Sequence, residues 1–217
     1  AALKCVDTLE DNVSEVIKTN VLGTQNICDL GACYSCRVAL ASTDKAVYPI
    51  NAYGQSTALA EKLVLQSPLN VVIRYGNVLG SRGSILTSLV ESLLKYGEAK
   101  LTHEEMTRFW MPVGAVRDFV MEIAMSPLAG VYTPKDIKSS YVKDLITVVA
   151  DILAVASYEV EPIGIRPGEK IHETLLGEHE TENKKAVTTA DNSLLLTNRE
   201  LRDMLEPIVK EIACSVS

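Results

Sequence analysis

The residues best suited to chemistry lie in one stretch, Ser42-Thr-Asp-Lys-Ala-Val-Tyr-Pro-Ile-Asn-Ala-Tyr-Gly54. Two hydroxyls, a carboxylate and an amine stand side by side at Ser42, Thr43, Asp44 and Lys45. Tyr53 follows where a helix is expected to start. A helix N-terminus favours negative charge, which would help the Tyr53 phenol ionise and act as a base. The same residues also read as a polar loop capping a helix, and spacing alone leaves both readings open. Ser81-Arg-Gly-Ser84 is a second candidate. Its backbone amides and Arg82 suit a phosphate at a helix start, although a simple N-cap has the same composition. Cys33-Tyr-Ser-Cys36 lacks the second ligand pair that a structural zinc site needs. His172-Glu173 does not begin an H-E-x-x-H motif, because position 175 is Leu. No metal site is expected.

These residues need elements to hold them. Arg37-Val-Ala-Leu-Ala-Ser42 and Asn70-Val-Val-Ile-Arg-Tyr75 read as buried parallel strands. Residues 12–31 and 53–66 have helical spacing of apolar positions. Helix, strand, helix, strand is the order of an α/β domain with a parallel sheet. Pockets in such folds form beyond the C-terminal strand ends, after Leu40 and after Ile73. Further on, Ser84–Tyr96 is an amphipathic helix with Gly97 at its C-terminal cap position. Helices are expected over 112–125, 140–156 and 198–212, with Pro207 kinking or dividing the last. Short strands are expected at 130–133 and 158–165.

The composition is that of a globular protein: 47% hydrophobic, 23% charged, 12 Gly and 8 Pro in 217 residues. With 21 basic and 28 acidic residues the formal net charge is −7, which disfavours non-specific nucleic-acid binding. No run approaches the roughly 18 apolar residues of a membrane helix. Ala1-Ala-Leu-Lys-Cys5 lacks the pattern of a signal peptide. Five cysteines without framework spacing point to a reduced, cytoplasmic protein.

Six ordered blocks carry a resemblance. They are Ile17-Lys-Thr-Asn-Val-Leu-Gly-Thr24, Ser42-Thr-Asp-Lys-Ala-Val47, Asn51-Ala-Tyr-Gly54, Arg74-Tyr-Gly-Asn-Val-Leu-Gly-Ser-Arg-Gly-Ser84, Met106-Thr-Arg-Phe-Trp-Met111 and Ile163-Gly-Ile-Arg-Pro-Gly-Glu-Lys-Ile-His-Glu173. Together they resemble the extended short-chain dehydrogenase/reductase family, and within it the inverting UDP-N-acetylglucosamine 4,6-dehydratases. The resemblance covers about residues 1–176.

It implies an α/β fold, a Rossmann-like parallel sheet lacking its first βα units, with a smaller C-terminal α+β substrate domain. Residues 1–80 would be the remaining NAD(P)-binding part. Residues 81–217 would mostly bind substrate, with some segments returning to the sheet. It implies that Tyr53 takes the proton of the sugar's 4-hydroxyl while NADP takes the C4 hydride. Lys45 would be the base at C5, Asp44 would help expel the C6 hydroxyl, and Thr43 would hydrogen-bond near C4. An acid and a base on one rigid strand end suit such an elimination. Lys4, Asn20, Ser42, Tyr75 and Gly76 would contact or support the cofactor. Asn77, Ser81, Arg82, Gly83, Ser84, Thr107, Arg108, Arg166 and Glu169 would hold the UDP-sugar. A homo-oligomer is compatible with the family.

Two departures stand out. The family's tyrosine is followed four residues later by a lysine that lowers its pKa; here the position is Thr57. Without that cation Tyr53 stays mostly protonated, unless Lys45 approaches it. No glycine-rich turn for a pyrophosphate occurs in the sequence, and roughly 80 residues of leading βα units are expected to be missing, at ~30 per unit. A non-catalytic fragment that binds nucleotide sugar or a partner therefore stands beside the dehydratase reading. A UDP-sugar 4-epimerase is a third possibility, because it needs the tyrosine but no Asp-Lys pair.

Overall fold

The computed structural model describes residues 2–4, 6–81, 83–181 and 186–216. Two short helices, α1 (Val6–Leu9) and α2 (Val13–Val16), lead into a π-helical segment, Ile17–Leu22, which continues as α3 (Gly23–Cys33). Strand β1 (Ala39–Thr43) and helix α4 (Ala52–Val64) follow. Then come β2 (Val71–Tyr75), β3 (Asn77–Leu79), α5 (Ile85–Tyr96), β4 (Glu98–Leu101) and β5 (Thr107–Pro112). The remainder is α6 (Val113–Met125), β6 (Gly130–Tyr132), β7 (Lys138–Tyr141), α7 (Val142–Ile152), β8 (Glu159–Pro162), β9 (Thr174–Leu176), β10 (Val187–Thr188) and α8 (Asn198–Val216).

The α/β class and the parallel sheet are as expected. β1, β2 and β6 form one all-parallel sheet in the order β1-β2-β6. Val71, Val72 and Ile73 are fully buried. Such a continuous apolar run belongs to a strand covered on both faces, here by α4 and α6. The register sets Thr43 opposite Tyr75, so β1 and β2 end level.

At Gly76 the chain changes sheets. A Cβ there would lie 2.3 Å from the Cβ of Phe109, so only glycine fits. Beyond it, β3 runs parallel to β5, and β7 pairs with β5 antiparallel. β4 pairs with β8, and β9 with β10. Around the second sheet, α5, α7 and α8 enclose a core that includes Leu86, Trp110, Leu145, Leu201 and Leu205.

Three expectations need correction. The helix expected over 12–31 is interrupted by the π segment, where Asn20 is drawn inward. The final helix runs on to Val216 through Pro207 without dividing. Leu201, Leu205 and Val209 are wholly buried, so packing against α5 and α7 outweighs the one backbone bond proline lacks. β5 was not expected as a strand, because its sequence shows no alternation.

Gly97 closes α5 in the left-handed region, at φ 67°, as its position suggests. The space around it is open: the nearest atom to an added Cβ is Ser157 O at 3.9 Å. Gly97→Ala is therefore expected to cost only the backbone term, about 1 kcal/mol. Urea unfolding should show a lower midpoint with an unchanged slope.

Candidate active site

The chain leaves β1 in a single 3-10 turn, Asp44–Ala46. Thr43 caps it: its Oγ1 accepts from the Lys45 amide (3.3 Å) and donates to Asp44 Oδ1 (2.9 Å). Asp44 is wholly buried. Lys45 Nζ donates to Asp44 Oδ1 and to Asn77 Oδ1, each at 3.0 Å. Asp44 Oδ2 is buried with no hydrogen-bond partner. Asn51 caps α4 by accepting from the Gly54 amide (2.7 Å), which puts Tyr53 in the first helical turn. A Cβ at Gly54 would sit 2.3 Å from Lys45 O, so glycine alone lets the helix end press against the turn.

Charge follows from this packing. Burial alone would disfavour the Lys45 ammonium, but the Asp44 and Glu173 carboxylates overcome it and hold Lys45 well above the usual lysine range. Burial pushes the Tyr53 phenol up, while the Lys45 charge and the Thr43 hydroxyl pull it part of the way back. Lys45 thus reaches Tyr53 with the positive charge that position 57 lacks. Thr57 itself donates its hydroxyl to Tyr53 O at 2.8 Å, one helical turn back.

Beside the turn lies a cavity of about 580 Å³, a size that suits a small ligand. Lys45, Asn77, Arg108, Arg166, Glu169 and Glu173 give it polar walls. Leu89, Met106 and Ile146 give it an apolar side. Gly83 also lines it, with φ 70°. Asn51 Nδ2 donates to Gly168 O at 2.7 Å and so ties the Arg166–Glu169 turn to the start of α4.

Several expected site residues sit elsewhere. Thr43, Asp44 and Tyr53 flank the cavity without lining it. Ser42 faces the other side of β1, and its hydroxyl bonds to the Glu61 carboxylate. Alternation along a strand sends Ser42 and Thr43 to opposite faces. Thr107 is buried with its hydroxyl engaged by Thr189 (2.7 Å) and His172 (2.8 Å). Arg108 does line the cavity, but its Nη1 is committed to the carbonyls of Thr107 (2.8 Å) and Ile171 (3.1 Å). Ser84 serves as the N-cap of α5, and Ser81 does not reach the cavity. Arg82 lies outside the described residues. Lys4 is exposed on the segment that Asn20 straps down through Leu3 N (2.8 Å) and Leu3 O (3.0 Å). Asn20 also donates to Ser56 Oγ of α4 at 3.1 Å. It braces the leading segment against α4.

Sequence reasoning missed Glu173 and Lys170. Both project into the turn from far along the chain, and the only local signal at Glu173 was a failed zinc motif.

The strand ends fit the reactive end of a dinucleotide. Thr43 and the half-buried Tyr75 are paired at the C-terminal ends of β1 and β2, and Tyr53 stands in the first turn of α4. Gly76 is required by the close approach of Phe109. No pyrophosphate cradle is found among these residues, so the fit extends to the nicotinamide end alone.

The family model for polysaccharide biosynthesis proteins matches residues 1–192. An uncharacterised membrane protein of Methanocaldococcus jannaschii is 39% identical over 198 residues, covering 84% of this chain and 60% of that protein. A UDP-glucose 4-epimerase of Rickettsia massiliae is 38% identical over 191 residues, covering 83% of this chain and 55% of the relative. The solved structure of Pen from Bacillus thuringiensis shares the fold at a TM-score of 0.88 and 23% identity, over 98% of this chain and 75% of that one. The chain belongs to the polysaccharide biosynthesis protein family. It spans 55–60% of the length of the two curated relatives. Among the described residues no helix is long and apolar enough to cross a membrane.

Proposed function

We propose that this chain carries the sugar-reacting part of an NADP-dependent UDP-N-acetylglucosamine 4,6-dehydratase that inverts C5, in surface polysaccharide biosynthesis. The observation that carries the reading is the Asp44–Lys45 pair, joined at 3.0 Å beside a cavity walled by arginines. As built, the pair is a carboxylate and an ammonium. One proton transfer along that bond gives a carboxylic acid and a free amine. The amine takes the C5 proton. The acid gives its proton to the departing C6 hydroxyl, which leaves as water. NADP, when bound, would accept the C4 hydride and return it to C6. Tyr53 accepts the 4-hydroxyl proton, assisted by the Lys45 charge. As the hydride returns to C6, one proton is given back to C5 on the face opposite Lys45, which inverts C5 and balances the proton Tyr53 took. Arg108, Arg166 and Asn77 line the space that the UDP-sugar would fill, with Glu169 placed to accept from ribose hydroxyls.

The test is incubation of the purified chain with UDP-N-acetylglucosamine and NADP, followed by mass spectrometry. Loss of one water from the sugar nucleotide supports the reading; an unchanged sugar nucleotide sinks it and favours a non-catalytic binding role.

A 4-epimerase is the second reading, favoured by the Rickettsia relative's description. Asp44→Asn separates the two. A dehydratase should lose at least about 10²-fold in turnover without its acid. An epimerase needs only Tyr53 and should keep most of its activity.

A further inference from the structure

We infer that Glu173 is a positioning residue: its single carboxylate holds Lys45 directly and, through Lys170, the strained turn that carries Lys45. The functional weight of the clamp rests on the proposed role of Lys45; its existence does not.

Glu173 is 2% exposed. Its backbone is pinned by the 187–189 segment, donating to Thr189 Oγ1 (2.9 Å) and accepting from Thr188 Oγ1 (2.9 Å) and the Thr189 amide (2.9 Å). The carboxylate is therefore delivered to a fixed place. Oε1 lies 3.5 Å from Lys45 Nζ and 3.9 Å from Arg108 Nε. Oε2 lies 3.7 Å from Lys170 Nζ and makes no hydrogen bond. A buried carboxylate oxygen without a donor is costly unless its charge is used. Here three cations use it.

The second arm reaches the backbone. Lys170 Nζ donates to Val47 O at 2.6 Å. The next residue, Tyr48, has φ 47°, a left-handed conformation that a tyrosine adopts only when its surroundings impose it. The Tyr48 hydroxyl is held in turn by the Glu178 amide at 3.2 Å. Glu173 thus grips the turn at both ends: Lys45 by its ammonium, Val47 through Lys170.

Every charged or titratable neighbour of Lys45 enters the balance. Asp44 and Glu173 are the anions. Arg108 of β5 and Lys170 are the other cations, and Tyr53 approaches from α4. Without the Glu173 charge, three cations would face Asp44 alone. Lys45 would then give up its proton more readily.

Acylation reads this directly, since only the free amine reacts. The intact chain is treated with acetic anhydride at pH 9, and peptide mass spectrometry compares Lys45 with exposed Lys62. In Glu173→Gln, Lys45 is expected to react at least about tenfold faster than in the wild type, one pKa unit being tenfold in free amine. Glu173→Asp keeps the charge and should stay near the wild-type rate, which separates charge from loosened packing. If Glu173→Gln alone fails to fold, Glu173→Gln/Lys170→Met removes the cation left unpaired and is read the same way. A Lys45 rate within about twofold of wild type in a folded, charge-removed variant would overturn the inference. Failure of the water-loss assay would leave it standing, because acylation needs no turnover.

Discussion

Lys45→Met is expected to abolish loss of water from UDP-N-acetylglucosamine, by about 10²–10⁴-fold. Three physical losses combine. The amine that takes the C5 proton is gone. Tyr53, whose phenol burial already pushes up, loses the charge that eases its ionisation, and Thr57 supplies none. Asp44 loses the bond that orients it and the proton source that makes it an acid. Binding should change less than turnover, because Lys45 is one wall residue among several in the cavity. Mass spectrometry of the product and calorimetry with UDP measure the two separately. In any residual activity, the rising, acid-side limb of the pH–rate profile should move to higher pH, since a phenol without its cation ionises later. Turnover within tenfold of wild type would show that Lys45 is not part of the reaction.

Arg74→Met is expected to have the largest effect on stability. Arg74 is 5% exposed and makes four hydrogen bonds to three partners. It pairs bidentately with Glu61, at 2.8 Å through Nε and 2.6 Å through Nη2. Its Nη1 reaches Leu175 O at 3.1 Å and Glu180 Oε2 at 2.8 Å. Glu61 also receives the Ser42 hydroxyl, so the network binds β1, α4, β2 and β9 together. Methionine fills the space but leaves two carboxylates without their cation. Breaking such a buried pair costs about 3–5 kcal/mol. For a chain of this size Tm should fall by roughly 6–20 °C.

The effect should also depend on pH. Burial would raise the Glu180 carboxyl, yet Arg74 and the Gly177 amide hold it below the ordinary glutamate value. A depressed folded pKa stabilises above the unfolded value and is lost as pH falls through the folded one. The Tm gap between wild type and Arg74→Met should therefore be full at neutral pH and narrow below about pH 4. A gap that stays constant to pH 3 would show that Glu180 is not part of the network.

Local pattern made some of this legible. Val71–Tyr75 announced itself because a strand buried on both faces is an unbroken apolar run. α4 and α5 were readable from spacing, and Gly97 from its place after the last apolar turn. That a pocket forms beyond the C-terminal strand ends followed from class, which pointed to the segment holding Thr43, Asp44 and Lys45; their grouping with Tyr53 as a catalytic set came from the family resemblance. What stayed hidden depends on distant partners. Thr107 looked like a ligand contact until His172 and Thr189 claimed its hydroxyl. Ser42 belonged to the same polar run as Thr43, yet pleating turns it toward Glu61. Arg108 and Phe109 are buried side by side in β5, an arrangement set by flanking strands rather than by periodicity. Glu173 is invisible locally because its work is done across the fold.

The strand that presents Thr43, Asp44 and Lys45 has, among the described residues, a partner on one side only. Ala39 and Ala41 are exposed along it, while Ser42 and Thr43 are buried. In terms of amide hydrogen exchange, β1 should open from its Ala39 end, with protection rising toward the turn. The reactive turn thus hangs from a strand that is firm at its tip and loose at its root. A strand added along that free edge would stiffen the root and lower the frequency of opening. The sharpness of the proton-transfer geometry at Asp44 and Lys45 would then be set, in part, by whatever occupies the edge.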